Sequence, residues 1–138
     1  MGGGRQAVRL LMSWTIRRGS EGAGGSGDVK AWDDVWLKLR SLQNYAGSIR
    51  LEITDAPDVA PFSMSVAADH GNYLVTLLET TEDDTEVRSY SNPTAKAEMV
   101  EILGNDWDAR HLTGDFELVC RMVEEFYRTG DVSNQWLN

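Results

Sequence analysis

The chain has 138 residues, one cysteine, and a net charge of −9. That length suits one domain that buries roughly two thirds of its unfolded surface and needs neither disulfide nor metal to fold. The acidic balance argues against general nucleic-acid affinity, since phosphates demand clustered Lys and Arg, and a lone thiol fits a reducing, cytoplasmic home. No apolar run approaches the ~20 residues of a membrane helix, and Met1–Gln6 leads into no signal-peptide core.

From the N-terminus, Val8, Leu10, Met12, Trp14 and Ile16 alternate with Arg9, Ser13 and Thr15, the period of a half-buried strand. The stretch from Gly19 to Gly27, GSEGAGGSG, has almost nothing to bury and reads as a flexible loop. A helix is expected next, capped by Ser26 or Asp28. Val29, Trp32, Val35, Trp36 and Leu39 form its apolar stripe, and Gly47 is a plausible stop.

Ile49, Leu51 and Ile53 then alternate with polar residues as a second strand, which Pro57 and Pro61 interrupt. Phe62, Met64, Val66 and Ala68 form the inward side of a third. Gly71-Asn72 signals a tight turn, and Tyr73–Thr80, apolar on both sides for part of its length, is the expected central strand. A short strand over Val87–Ser91 follows the acidic turn. Glu98–Leu103 reads as another, and Ala109–Leu112 as a further edge. Phe116, Val119, Cys120, Val123, Phe126 and Tyr127 mark the second helix, capped by Thr113 or Asp115 and stopped by Gly130. Short turns between consecutive strands imply antiparallel pairing. The fold expected is therefore α+β, with about five to six strands and two amphipathic helices packed on one face of the sheet.

Chemistry is sparse. Cys120 falls inside a helical apolar stripe and reads as a small hydrophobe rather than a nucleophile served by His111. Asp106, Asp108, His111 and Asp115 match no metal-ligand spacing and suit turns and caps. The glycines at 19–27 lack the Lys-Ser or Lys-Thr of a phosphate loop. No catalytic residue, cofactor site or metal site is expected. Two features remain: the carboxylates Glu79, Glu82, Asp83, Asp84 and Glu86 between two strands, and Asp106 with Trp107 on what reads as a neighbouring loop. The acidic group is either a solvated hairpin end or a negative patch that meets a basic protein surface. Trp107 and Trp136 serve either as interface anchors or as ties for irregular segments.

Three strings resemble the immunity proteins of bacterial polymorphic toxin systems, in the family often found beside deaminase-type toxins. Trp32-Asp33-Asp34-Val35 followed by Leu39 and Leu42 is similar to that family's first helix. Gly71-Asn72-Tyr73-Leu74-Val75-Thr76 resembles its glycine turn and central strand. Phe126-Tyr127-Arg128-Thr129-Gly130-Asp131, with Trp136 after it, resembles the close of its last helix. The insert at 19–27 is longer than in that pattern, and the residues after Gly130 match poorly. The resemblance implies a small cytoplasmic binder that blocks one cognate toxin, and it carries over no catalytic residue. The competing expectations are an adaptor or homo-oligomeric module and, with least support, a small-molecule-binding domain.

Overall fold

The computed structural model describes residues 9–137. Val8 and the Met1–Gln6 stretch lie outside the described residues. The elements, in order, are β1 (Leu10–Arg18), β2 (Glu21–Asp28), α1 (Trp32–Asn44), β3 (Ala46–Ile53), β4 (Ala60–Asp69), β5 (Asn72–Thr80), β6 (Thr85–Ser89), β7 (Met99–Ile102), β8 (Asn105–Asp108), a 3₁₀ turn (Ala109–His111), β9 (Leu112–Thr113) and α2 (Phe116–Thr129). An antiparallel sheet runs β2-β1-β3-β4-β5-β6, and β9 pairs with the start of β5. β7 and β8 form a separate hairpin.

The register explains which face is buried. Met12 lies opposite Leu51, Leu51 opposite Met64, and Met64 opposite Leu77, so one row of apolar side chains crosses the sheet. Trp14, Ile49, Val66 and Val75 form the next row. Antiparallel partners share a face, and α1 and α2 cover this one. Val35, Leu39 and Leu42 of α1 and Val119, Met122, Val123 and Phe126 of α2 are its buried complement. Trp32 meets Tyr127, and Trp36 meets Phe116, tying the two helices edge to edge.

The opposite face is small and polar, with Ser13, Thr15, Ser48, Arg50, Ser65 and Thr76. Ser63 on this face is buried and accepts from Arg50 Nε at 3.0 Å. The β7–β8 hairpin covers one end of it. Ile102 packs with Leu74 and Leu112, flanked by Ala67, Val100 and Leu103, and the Leu103 N–H donates to Asp69 Oδ2 at 3.0 Å.

Several sequence expectations need correction. Residues 19–27 are not a loop. Only Gly19 and Ser20 turn, and Glu21–Asp28 is a full strand paired along β1, from Arg18 opposite Glu21 to Leu11 opposite Asp28. The order comes from the backbone ladder, which needs no side chain to bury. Neither Ser26 nor Asp28 caps α1. Its N-cap is Ala31, and Asp34 reaches back to accept from the Lys30 and Ala31 N–H groups at 2.8 and 3.1 Å. Those bonds hold the Asp34 carboxyl below its usual range. Gly47 does not stop α1, which ends at Asn44. It lies within β3, where an added Cβ would overlap the Thr15 carbonyl oxygen.

At the C-terminal side, Asp115 caps α2 by accepting from the Leu118 N–H, and Gly130 ends it in the left-handed region. Beyond α2, the chain folds back on the sheet, and Leu137 bridges to Tyr90. The buried Arg88 fixes this return: its guanidinium donates to the Val132 and Leu137 carbonyls and to Asp131. No helix among the described residues is long and apolar enough to cross a membrane.

Candidate functional site

The carboxylates read from the sequence converge at one end of the sheet. Thr81 and Asp84 close the β5–β6 turn. The Thr81 N–H donates to the Asp84 carbonyl at 2.7 Å, and the Asp84 N–H donates to Thr81 Oγ1 at 3.1 Å. Glu82 and Asp83 therefore project from a fixed tip, both exposed. Glu79 stands directly opposite Glu86 across the strands, a like-charge pair of the kind that destabilises a sheet unless a cation intervenes. Arg88, two residues along β6 and so on the same side, lies 3.9 Å from Glu79.

Register adds two residues that the sequence alone did not connect. Ala60 pairs with Thr80, so the β3–β4 connection, with Asp55 and Asp58, shares the end of the sheet with the tip. Among the described residues, Asp55, Asp58, Glu82, Asp83, Asp84 and Glu86 make no ion pair with any Lys, Arg or His. Val59 and Val87 add exposed apolar surface at the same end, 57% and 60% accessible.

Asp106 and Trp107 are elsewhere. They belong to strand β8 rather than to a loop, facing Glu101 and Val100 of β7. The hairpin packs at Ala67 and Leu74, six residues along β5 from Thr80, or roughly 20 Å at strand rise. Trp107, 38% accessible, shares the sheet-facing side of the hairpin with Val100. Trp136 packs against the main core.

Cys120 is half-buried, at the margin of the α2 stripe rather than within it, and Met122 takes the fully buried position instead. It borders a groove with Trp36, Gln43, Phe116, Glu117 and Arg121. Burial, reinforced by Glu117, Glu124 and Asp115, pushes its thiol up to about 11. His111 is engaged elsewhere, its Nδ1 3.3 Å from the Tyr90 carbonyl. Asp108 pairs with Arg110 at 2.6 Å, and this contact lowers its carboxyl to about 2. Among the described residues no group of three His, Cys, Asp or Glu side chains is placed to hold a metal ion.

Among the described residues, no strand pairs with the other edge of the sheet. β2 reads Glu-Gly-Ala-Gly-Gly-Ser-Gly-Asp and is exposed nearly throughout. Gly25 faces Trp14, where an added Cβ would lie 2.7 Å from the indole ring. Lys38 of α1 places Nζ 4.4 Å from the centroid of that ring. Two hollows flank β2 on the helix side. One, of about 240 Å³, is lined by Met12, Trp14, Gly27, Asp34, Leu37 and Lys38; the other, of about 180 Å³, by Ile16, Arg18, Glu21, Gly22 and Ala23.

This architecture is an α+β sheet-and-helix fold, and a solved structure shares it. The crystal structure of a hypothetical protein from Neisseria gonorrhoeae superposes with a TM-score of 0.73 at 17% identity, covering 88% of this chain and 87% of that one. The chain belongs to the family of unknown function DUF6911, which matches residues 13–136. No curated protein matches it.

Proposed function

We propose that this chain is a non-catalytic binding protein of the immunity kind, which neutralises a cognate toxin by docking its acidic end on a basic surface. The observation that carries the reading is the convergence of Asp55, Asp58, Glu82, Asp83, Asp84 and Glu86 on one end of the sheet, where none of the six makes an ion pair among the described residues. Ordinary surfaces mix the signs. A one-signed cluster on a protein of net charge −9 accelerates encounter with a positive partner and repels negative ones. The rigid tip turn limits the ordering cost of binding, and Val59 and Val87 supply apolar contact beside the charges. The three strings that resemble those of immunity proteins of polymorphic toxin systems favour the same reading, and a toxin acting on nucleic acid presents the basic groove that such an end would fit.

The test is co-expression with the product of a neighbouring toxin gene, followed by Glu82→Lys, Asp83→Lys and Asp84→Lys in combination. A complex that forms at low salt, weakens steeply with ionic strength and is lost in the triple variant supports the reading. A complex indifferent to both salt and the triple substitution refutes the acidic end as its site.

A further inference from the structure

The structure assigns a second, independent binding site: we infer that the free edge of β2 accepts an extended segment of a partner polypeptide as a seventh strand of the main ladder. The phase of the ladder fixes which groups are available. The Val29 N–H donates to the Leu10 carbonyl at 2.9 Å, so Gly27, Gly25, Ala23 and Glu21 bond toward β1. Gly22, Gly24, Ser26 and Asp28 therefore turn their N–H and C=O groups outward. Among the described residues β2 is the terminal strand of the sheet order.

Native proteins guard such edges with proline, lysine, bulges or a covering loop. β2 has no proline or lysine, and its register with β1 runs unbroken over eight residue pairs. The glycines do more than leave the edge open. Ala23, Gly25 and Gly27 face the helix side, opposite Ile16, Trp14 and Met12. Their small size leaves the two hollows beside β2 accessible, one at Ala23 and the other at Gly27, four residues apart. An added strand projects residues i, i+2 and i+4 to that side. Residue i then enters the hollow at Ile16, residue i+4 the hollow at Met12, Trp14 and Leu37, and residue i+2 meets the edge of the Trp14 ring, which fills the space over Gly25. Main-chain bonds supply affinity and alternate side chains supply selection, the mode of strand-addition recognition.

Charge selects the occupant. A second copy pairing antiparallel about Gly25 would bring Glu21 of each chain alongside Asp28 of the other, between two bodies of net charge −9. A segment with apolar residues at alternate positions and Lys or Arg at its ends meets the net charge of −9 favourably instead, most directly at Asp28, since Glu21 already faces Arg18 across the ladder. The occupant is therefore such a segment of a basic protein. The β2 edge lies five strand spacings from β6, roughly 24 Å, so it is separate from the acidic end, and either site can fail alone.

The probe is a synthetic peptide of alternating valine and threonine with lysine at both ends, acetylated and amidated, titrated into the full chain and followed by amide NMR. The expected shifts centre on Gly22, Gly24, Ser26 and Asp28, with the Trp14 indole moving too. Ser26→Pro removes an outward N–H without touching a β1 bond and should weaken binding at least about tenfold, whereas Ser26→Ala retains it. Should Ser26→Pro fail to fold, the double variant Glu21→Lys, Asp28→Lys carries the decision, with an expected loss of about threefold or more that shrinks in high salt. Shifts absent or centred elsewhere overturn the inference, as does unchanged affinity in the variant that decides. Concentration-dependent dimerisation abolished by Ser26→Pro, without peptide binding, overturns it in favour of a second copy.

Discussion

Arg88 Nη1 lies 2.9 Å from Asp131 Oδ1, joining edge strand β6 to the segment that follows α2. The same buried guanidinium also donates to the carbonyls of Val132 and Leu137, two buried residues, so one cation satisfies two carbonyls in the interior as well as the Asp131 carboxylate. Truncating it leaves those acceptors orphaned. Arg88→Ala should cost about 2–4 kcal/mol in urea denaturation, and Trp136 fluorescence should report a loosened tail. Arg88→Lys, with fewer donors and no planar fork, should recover only part of the loss.

Gly47 offers a sharper steric test. Its absent Cβ would overlap the Thr15 carbonyl oxygen and sit 3.0 Å from the Ile16 Cα, both backbone atoms of the neighbouring strand. Nothing there yields without moving β1. Gly47→Ala should lower stability by about 3 kcal/mol or more, a fall in Tm on the order of 10 °C for a chain this size. Gly71→Ala meets no neighbouring atom but holds φ at +78°, so its cost should stay near 1–2 kcal/mol.

The raised thiol of Cys120 predicts inertness. Its native value of about 11 against an ordinary 9.0 makes the neutral form the favoured one. The sign follows: this preference contributes stability below pH 9 and is lost as pH rises toward 11. At pH 8 the native thiolate fraction is about a hundredfold below that of the unfolded chain. Reaction with a disulfide reagent should therefore be slow in buffer and recover in urea. Equal rates in the two conditions would contradict the burial.

Asp108 runs the other way. Arg110 and the Arg110 N–H hold its carboxyl near 2, so the contact is present above the ordinary 3.8 and is lost as pH falls through about 2. Carboxyl NMR should show a midpoint near 2 in the native chain. In Arg110→Ala it should move up toward 3.8, although the N–H of residue 110 remains as a donor.

Much of this fold was legible because its signals are carried by side chains. The helical stripes of Val35 and Leu39 and of Val119, Val123 and Phe126 name the faces they bury, and the alternation of Leu10 to Ile16 names its strand. β2 was opaque for a physical reason. Its order comes from main-chain bonds to β1, and glycine and serine leave no pattern to read. Ala31 as an N-cap was equally hidden, since the capping group is Asp34, three residues ahead. The acidic tip was visible as composition. Asp55 and Asp58 join it only through the Ala60–Thr80 register, and Asp106 with Trp107 leave it because their hairpin docks on the far half of the outer face.

Gly25 resting against Trp14 has a consequence for how the molecule breathes. A ribbon with four glycines and no buried side chain contributes little to the interior, so Leu51, Val66 and Val75 stay packed when it leaves. Unzipping of Glu21–Asp28 is then a local event, with a free energy far below that of global unfolding, and amide exchange there should be among the fastest of any strand. In crowded solution a detached ribbon finds an identical groove on the next molecule, which gives this chain a low-barrier route to segment exchange.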